Sequence, residues 1–165
     1  MDSQIGKVLA TLARETGSFV IGPRPGKKSV GTLKDLKLTH CCTLLSERED
    51  VRPIQKICNN LGCTWIWLPI EGGRLEILQE TDLEGHVETL ARALGAEAAP
   101  RVYFHCSAGI HRTGFFVYVL LRLGGLEPDR ARQRLADLRP VTAEQVGAER
   151  LQLADEIVET LAHGF

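Results

Sequence analysis

Apolar positions recur along the chain with two periods, one typical of amphipathic helices and one typical of buried strands. Short apolar, β-leaning runs predict strands at 19–21, 40–45, 64–68 and 101–104. Helical spacing predicts helices at 3–14, 51–60, about 82–94, 113–123, 128–138 and about 142–161. Strands therefore alternate with helices over most of the chain.

Turn and cap residues separate these patterns. The Gly-Pro-Arg-Pro-Gly run at 22–26 and the charged run at 46–50 predict loops, and Thr32 is expected to start a short helical turn. The four-residue patterns 81–84 and 142–145 match the capping box, so each predicts a helix N-terminus.

This alternation predicts an α/β fold with a central, mostly parallel β-sheet flanked by helices on both faces. The chain has 165 residues, of which 44% are hydrophobic and 25% charged, so we expect a single domain over 1–165, with 1–17 as an N-terminal helical extension. In such sheets, functional sites form where strands end and helices begin.

Charge and cysteine content narrow the possible partners. The net charge is −1, which excludes polyanion binding by bulk charge, so we expect no nucleic-acid partner. No apolar run reaches the length of a membrane span, and the N-terminus shows no signal-peptide pattern. The five cysteines are therefore expected to be reduced thiols in a cytoplasmic protein, and the odd number raises the question whether one of them is chemically special.

The richest chemistry lies at 105–114, between a predicted buried strand and a predicted helix. A loop in this position can turn its backbone N–H groups inward at the positive end of a helix dipole, which makes an anion site. Gly109 permits a sharp bend, and Gly114 permits close packing at the helix start. Cys106 would sit at the base of this nest as a thiolate nucleophile, Arg112 could grip two phosphate oxygens, and Thr113 could place a hydroxyl near the sulfur.

The segment 105–114 resembles the signature of the protein tyrosine phosphatase superfamily: His-Cys, five residues, Arg, Ser/Thr, Gly. The chain length is similar to that of the compact dual-specificity group. Residues 19–22 resemble the first strand of that group, and 68–73 resemble the general-acid loop of kinase-associated phosphatases. Residues 141–145 are similar to a pocket-bordering loop of phosphatase-and-tensin-type enzymes. The resemblance covers about residues 18–160 and implies the cysteine-dependent phosphatase fold.

The resemblance implies a role for each residue of the motif. Cys106 would attack phosphorus and form a cysteinyl-phosphate, and Thr113 would stabilise the thiolate when it leaves. His105 would orient the loop, and Gln145 is a candidate to position the hydrolytic water. No metal or other cofactor is implied. The phosphate oxygens would be held by the loop that consists of Ser107, Ala108, Gly109, Ile110, His111 and Arg112.

The general acid departs from the family pattern. Relatives usually carry an aspartate roughly 30 residues before the cysteine, and here the corresponding loop offers Glu71, 35 positions before Cys106. Glu71 is our prediction for the proton donor. Asp82 and Glu144 remain alternatives, as does the absence of an acid, although capping of the predicted helix would explain Asp82 equally well.

The expected function is hydrolysis of phosphotyrosine, and of phosphoserine or phosphothreonine in a dual-specificity enzyme, by a monomer acting on phosphorylated proteins. The resemblance to kinase-associated phosphatases implies a kinase as a partner. One alternative is a phosphoinositide or inositol phosphate phosphatase, although residues 107–111 lack the lysines that such relatives often carry. The other is a phosphate-binding adaptor with a weak or dead site, which the presence of Cys106, Arg112 and Thr113 disfavours.

Three further features leave alternatives open. A basic stretch could guide acidic phosphosubstrates or could simply be a solvated loop; it consists of Arg24, Lys27, Lys28, Lys34 and Lys37. Cys41 or Cys42 could form a reversible disulfide with Cys106, but most such cysteines are buried structural thiols. His111 could contact substrate or sit at the rim of the site.

Overall fold

Within residues 3–164, which the computed structural model describes, four short parallel strands form the central sheet. Their order is β1-β4-β2-β3, and all neighbouring strands run parallel. The strands are β1 (Phe19–Ile21), β2 (His40–Thr43), β3 (Thr64–Trp67) and β4 (Val102–His105). The predicted parallel sheet is therefore confirmed, with β4 and β2 at its centre.

Helices surround this sheet. They are α1 (Ser3–Arg14), α2 (Val30–Asp35), α3 (Arg52–Leu61), α4 (Leu75–Glu80), α5 (Leu83–Leu94), α6 (His111–Leu123), α7 (Pro128–Leu138), α8 (Pro140–Gln145) and α9 (Ala148–Gly164), and a 3-10 turn covers Lys27–Ser29. None of the helices described is both long and apolar enough to cross a membrane.

Helices pack on both faces of the sheet, as predicted. Cys41 of β2 is in register with Tyr103 of β4, and its thiol interacts with Cys58 of α3. Phe104, the next residue of β4, packs on Phe116 of α6, with ring centroids 6.3 Å apart. Successive strand residues point to opposite faces of a sheet, so α3 and α6 lie on opposite faces.

Helix α6 is the core of one face. Its residues from 113 to 121 are all buried, which is typical of a helix that has neighbours all round. A partly buried network ties it to α9, because Asp155 accepts hydrogen bonds from the Tyr118 hydroxyl at 2.7 Å and from Nε of Arg122 at 2.9 Å. These bonds fix the second half of α6 against α9, and the N-terminal end of α6 forms one wall of the site described below.

Several predicted boundaries are wrong by one or two residues. The ladder of β2 ends at Thr43 rather than at position 45, while β4 continues to His105 rather than ending at 104. Helix α6 begins at His111, two residues before the predicted start, because the loop that precedes it is already tightly turned and the Gly114 N–H donates to the Ile110 carbonyl at 2.8 Å. Arg112 is therefore held by the first turn of the helix.

The last predicted helix is two helices. Gly147 has φ +91°, a left-handed conformation, and it separates α8 from α9. Thr142 lies inside α8 and does not cap it; its hydroxyl donates to the Gly109 carbonyl. The predicted cap at 81–84 is also shifted by one residue, because the Asp82 carboxylate accepts from the Gly85 N–H at 3.0 Å. Helix α4 was not predicted, and α2 begins before the expected start at Thr32.

Candidate active site

The loop from Cys106 to Ile110 joins the carboxyl end of β4 to the N-terminus of α6. Gly109 has φ +72°, and a Cβ there would collide with the Gly22 carbonyl, so the bend requires glycine. The predicted strand, loop and helix arrangement is present. The unpaired N–H groups at the start of α6 therefore face the same space as the Cys106 side chain.

The carbonyl groups of residues 107–109 are all tied from outside the loop. The Arg24 N–H donates to the Ser107 carbonyl at 2.8 Å. Nη1 of Arg139 donates to the carbonyls of Ala108 and Gly109 at 2.9 and 3.0 Å. The Thr142 hydroxyl also donates to the Gly109 carbonyl, at 2.6 Å. Because the carbonyls point outward, the N–H groups of the loop are left free to point inward.

Cys106 is a buried thiol with an unusual environment. Burial raises the pKa of Cys106, but hydrogen bonds from the hydroxyl and N–H of Thr113, the Ile110 N–H and the charge of Arg112 outweigh it, so that the pKa lies below the ordinary value. Among the described residues, the buried Thr113 hydroxyl has no hydrogen-bond partner that meets normal geometry, so it remains available to a thiolate at Cys106. The site favours a thiolate.

Arg112 is held by a carboxylate that the sequence did not single out. Its Nη1 and Nη2 donate to the two oxygens of Glu49 at 2.7 and 3.2 Å, and Nη1 also donates to the Ile70 carbonyl at 3.1 Å. The hydrogen bonds from Arg112 lower the pKa of Glu49 to about 2. Glu49 is a positioning residue, because it fixes the guanidinium plane. Its only sequence signal was a carboxylate following the end of β2.

His105 is neutral and links the loop to the sheet. Burial lowers the pKa of His105 to about 4. Nδ1 lies 2.9 Å from the Cys106 carbonyl, which can only accept, so Nδ1 carries the proton. Nε2 then accepts from the Thr43 hydroxyl at 2.7 Å, and that oxygen accepts from Nε1 of Trp65 at 2.8 Å. His105 thus connects the loop to β2, its predicted role in orienting the loop stays a prediction, and Trp65 has a polar contact in this chain.

His111 lies at the rim of the site. It is exposed, and it lies close enough to the backbone of Gln145, at the end of α8, for that group to act on its pKa. A Cβ on Gly73 would be 2.8 Å from the His111 Cβ, so the loop before α4 touches the same rim. Burial, followed by the charges of Arg150 and Arg112, lowers the pKa of His111. The structure therefore brings His111 and Gln145 together beside the phosphate loop.

Glu71 lies between two tethered points of its loop. The preceding carbonyl of Ile70 is held by Arg112, and the Gly73 carbonyl accepts from Nε of Arg150 at 2.6 Å. The Glu71 side chain itself is exposed and forms no ion pair with any residue of the described part of the chain. The loop is thus fixed next to the phosphate loop while its carboxylate faces solvent.

Comparison with known proteins identifies the family to which this arrangement belongs. The family described as "Tyrosine phosphatase family" matches residues 24–134, a range that includes the whole 105–114 loop. The chain belongs to the tyrosine phosphatase family. No curated protein sequence matches it significantly.

Solved structures share the fold at low sequence identity. The chain is similar to kinase associated phosphatase (KAP), with a TM-score of 0.68 and 18% identity over 92% of this chain and 93% of that chain. It is similar to PTPMT1, with a TM-score of 0.64 and 20% identity over 89% and 93%. It is also similar to the core catalytic domain of the PP-IP phosphatase SIW14 from S. cerevisiae, with a TM-score of 0.58 and 18% identity over 90% and 88%. The fold is that of cysteine-dependent phosphatases.

Asp82, the alternative candidate for the general acid, is the N-cap of α5. It lines the same groove as Glu71, together with Arg48 and His86. Its carboxylate accepts a hydrogen bond from the Gly85 N–H, whereas Glu71 forms no ion pair with any residue that the structure describes. Glu144, the other alternative, is an exposed residue of α8.

The structure separates Cys106 from its suggested disulfide partners. In the sheet register, Cys41 is opposite Tyr103 and Cys42 is opposite Phe104, three and two residues before Cys106. At about 3.3 Å per residue and 4.8 Å between strands, the Cα separations are about 11 and 8 Å. A disulfide needs less than about 7 Å, so neither cysteine can reach Cys106 without backbone movement.

Proposed function

We propose that this protein hydrolyses phosphotyrosine in proteins through a cysteinyl-phosphate intermediate. The observation that carries the proposal is a buried thiol of lowered pKa, Cys106, in front of a guanidinium that Glu49 holds in place. A nucleophile, a ring of backbone donors and a fixed cation are the parts that phosphoryl transfer requires. Phosphoserine and phosphothreonine are additional proposed substrates.

In the first step, the Cys106 thiolate attacks phosphorus, the S–P bond forms and the ester P–O bond breaks. The N–H groups of 107–112 and the Arg112 guanidinium carry the charge of the phosphoryl oxygens. The leaving phenolate takes a proton from Glu71, the proposed general acid, whose loop is tethered at Ile70 and Gly73.

In the second step, water attacks the cysteinyl-phosphate, the S–P bond breaks, and inorganic phosphate leaves. The Thr113 hydroxyl stabilises the departing thiolate, as it does in the resting site. We propose that Gln145, which meets His111 at the rim, positions this water, and that Glu71 accepts its proton. The chain supplies every positive charge in this scheme from Arg112 and the backbone.

An inositol phosphate substrate is the second candidate, because the structural neighbour SIW14 is described as a PP-IP phosphatase. The segment 107–111 lacks lysine, which favours the protein substrate. We further propose a kinase as a partner, in line with the similarity to KAP, and a reducing compartment such as the cytoplasm, since all five cysteines are free thiols.

Turnover on matched substrates tests the proposal. Phosphotyrosine and phosphothreonine peptides and an inositol phosphate are compared at equal concentration, with Cys106→Ser as the blank. We expect the highest kcat/KM on phosphotyrosine and no turnover by the variant. Activity that survives in Cys106→Ser would overturn the mechanism, and a preference for the inositol phosphate would overturn the substrate assignment.

The assignment of the acid needs its own assay. Glu71→Gln and the matched Asp82→Asn are compared on phenyl phosphates with good and poor leaving groups. We expect Glu71→Gln to lose activity mainly on the poor leaving group, because only that oxyanion needs a proton. If Asp82→Asn shows this pattern and Glu71→Gln does not, Asp82 is the acid.

A further inference from the structure

A groove of about 770 Å³ lies next to the phosphate loop, between the segment that follows β1 and helix α3. Its floor is apolar and includes Pro25, Val30 and Ile57. Its rim carries the cations Arg24, Lys27, Arg52 and Lys56, with Asp50 as the acidic residue among its lining. Two members of the basic stretch noted in the sequence, Arg24 and Lys27, thus contribute to a recess, whereas Lys28, Lys34 and Lys37 are not among its lining residues.

The rim cations are not equally available. Arg52 is paired with Asp50, with Nε and Nη2 at 2.9 and 3.2 Å from its oxygens, and the Arg24 guanidinium donates to the backbone carbonyl of Asp50. Lys27 and Lys56 are exposed, and neither forms an ion pair within residues 3–164. The groove therefore offers two unpaired ammonium groups above an apolar floor.

Two connections join this groove to the catalytic loop. The backbone N–H of Arg24 donates to the Ser107 carbonyl, and the charge of Arg24 acts on His105. Asp50 directly follows Glu49, the residue that holds Arg112. A substrate whose phosphate occupies the loop would thus have its adjoining part at the near end of the groove.

We propose that the groove binds the stretch of a phosphoprotein substrate next to its phosphorylated residue. An acidic side chain lies between Lys27 and Lys56, and an apolar side chain covers the floor. This inference rests on the proposed function and makes it narrower, because it selects phosphorylation sites with acidic and apolar neighbours. Charge complementarity identifies the acidic partner, and an apolar recess identifies the second side chain.

The same features disfavour the other anionic ligands. An inositol polyphosphate carries only hydroxyl and phosphate groups, so it would leave the floor formed by Pro25, Val30 and Ile57 uncovered. A bilayer binds proteins whose apolar side chains protrude and insert into it, whereas the apolar side chains of this groove are recessed. A peptide supplies both kinds of group within two or three residues.

The test uses three phosphotyrosine peptides that differ only in the flanking residues: acidic plus leucine, all alanine, and lysine plus leucine. The enzyme forms are the wild type, the double variant Lys27→Glu/Lys56→Glu, and the charge-matched control Lys7→Glu/Lys34→Glu, whose residues are exposed and lie outside the groove. A small aryl phosphate measures the catalytic centre alone.

We expect the wild type to prefer the acidic peptide by about tenfold in kcat/KM, and the groove variant to lose that preference. The difference should shrink as ionic strength rises, because the paired charges are exposed. Aryl phosphate turnover should stay within about twofold in all three forms, since none of the changed residues touches the loop. An equal loss in the control variant, or no preference in the wild type, would overturn the inference.

Failure of the groove inference is distinguishable from failure of the proposed function. If the wild type hydrolyses aryl phosphate but treats the peptides alike, only the groove inference is wrong. If it hydrolyses none of them, the proposed function is wrong. The groove inference is then decided by the binding of a fluorescently labelled form of the acidic peptide, which should be weaker for the groove variant than for the wild type. Vesicles that contain a phosphoinositide serve as an additional substrate. If the groove variant loses turnover of these vesicles and keeps the peptide preference, the groove binds a lipid headgroup and the inference is wrong.

Discussion

Cys106 and Cys42 are both buried cysteines near the centre of one parallel sheet, with 3% and 0% of their surface exposed, yet their pKa values move in opposite directions. Burial raises the pKa of Cys42 far above its ordinary value, and no hydrogen bond opposes that effect in the described structure. Burial also raises the pKa of Cys106, but the donors from Thr113, Ile110 and Arg112 reverse the sign. Burial alone therefore does not predict reactivity.

A second group of thiols shows that neighbouring sulfur atoms do not, on balance, lower the pKa of a cysteine as hydrogen-bond donors do. Cys58 interacts with Cys41 and Cys63, and its pKa is raised to about 12, first by Cys41 and further by burial. The N–H groups of β2, which carries Cys41 and Cys42, are engaged in the ladder of the sheet. Cys106 lies one residue beyond β4, where the N–H groups that open α6 have no helical partners.

The largest expected effect is the loss of activity when the special thiol is removed. Cys106→Ala should lower kcat at least about 10⁴-fold, because no other nucleophile replaces it. Cys42→Ala should leave kcat unchanged and lower the free energy of unfolding by about 1 kcal/mol, through the small cavity it creates. Steady-state kinetics and urea denaturation of both variants provide the check. Comparable kinetic losses in the two would show that the contrast between these thiols is wrong.

The next largest effect is expected at Glu49, the partner of Arg112, because it helps to make the surroundings of Cys106 different from those of Cys42. Glu49→Gln should lower kcat/KM about 10²-fold, since the guanidinium loses the anion that orients it. The pKa of Glu49 is about 2, so in the wild type this pair persists over the whole range above pH 4. Glu47→Gln, an exposed neighbour in the same loop, is the control and should behave like the wild type. Kinetics on an aryl phosphate will show whether the two differ.

Alkylation measures the contrast directly. At pH 6.5, iodoacetamide should modify Cys106 at least about 10²-fold faster than Cys42, Cys58 and Cys63, because the pKa of Cys106 is lowered whereas the pKa values of those three thiols are raised. Peptide mass spectrometry over a time course gives the rate at each site. Inorganic phosphate, which we expect to occupy the loop, should slow the reaction at Cys106 alone. Uniform labelling of all five thiols would contradict the assigned pKa directions.

His105 gives a prediction for stability. Its pKa is about 4 in the folded protein against an ordinary 6.5, so in this window the unfolded chain binds a proton that the native state excludes. The free energy of unfolding should therefore fall by about 3 kcal/mol as pH drops from 6.5 to 4. Urea denaturation at several pH values measures this slope. His105→Asn should be less stable at neutral pH and should show a shallower slope, and an unchanged slope would contradict the prediction.

The smallest expected effect concerns a single hydroxyl. Thr113→Val removes a donor to the Cys106 sulfur, so the pKa of the thiol should rise and kcat should fall about tenfold. The acid limb of the kcat/KM profile should move to higher pH. Thr113→Ser keeps the hydroxyl and should restore the profile, which separates the hydrogen bond from simple packing. An identical pH profile in Thr113→Val would remove the hydroxyl from our account of the site.

Periodicity predicted the sheet well because each strand is a short apolar run between helical patterns. It failed where local and tertiary preferences compete. The helix predicted over 142–161 breaks at Gly147, and the Thr142 hydroxyl that looked like a cap is used by the phosphate loop. Helix α4 was missed because its six residues, 75–80, are too few to show a period.

The candidate site divides in the same way. The loop 105–114 was predicted because its chemistry is continuous in sequence. Glu49 was missed because its partner is 63 positions away, and a charged loop carries no local sign of an ion pair. The ties from Arg24 and Arg139 to the loop carbonyls were missed for the same reason.

The sequence by itself thus determined the parallel α/β architecture and singled out Cys106 and Arg112 as candidates for the nucleophile and the phosphate-binding arginine, because periodicity and a ten-residue motif are local. The tertiary structure alone decided why the pKa of Cys106 is lowered whereas burial raises the pKa of Cys42. Parallel strands gather their carboxyl ends at one edge, where Glu49 meets Arg112 and the start of α6 meets the sulfur. Which charges and donors converge there depends on contacts between distant segments, and no local pattern records them.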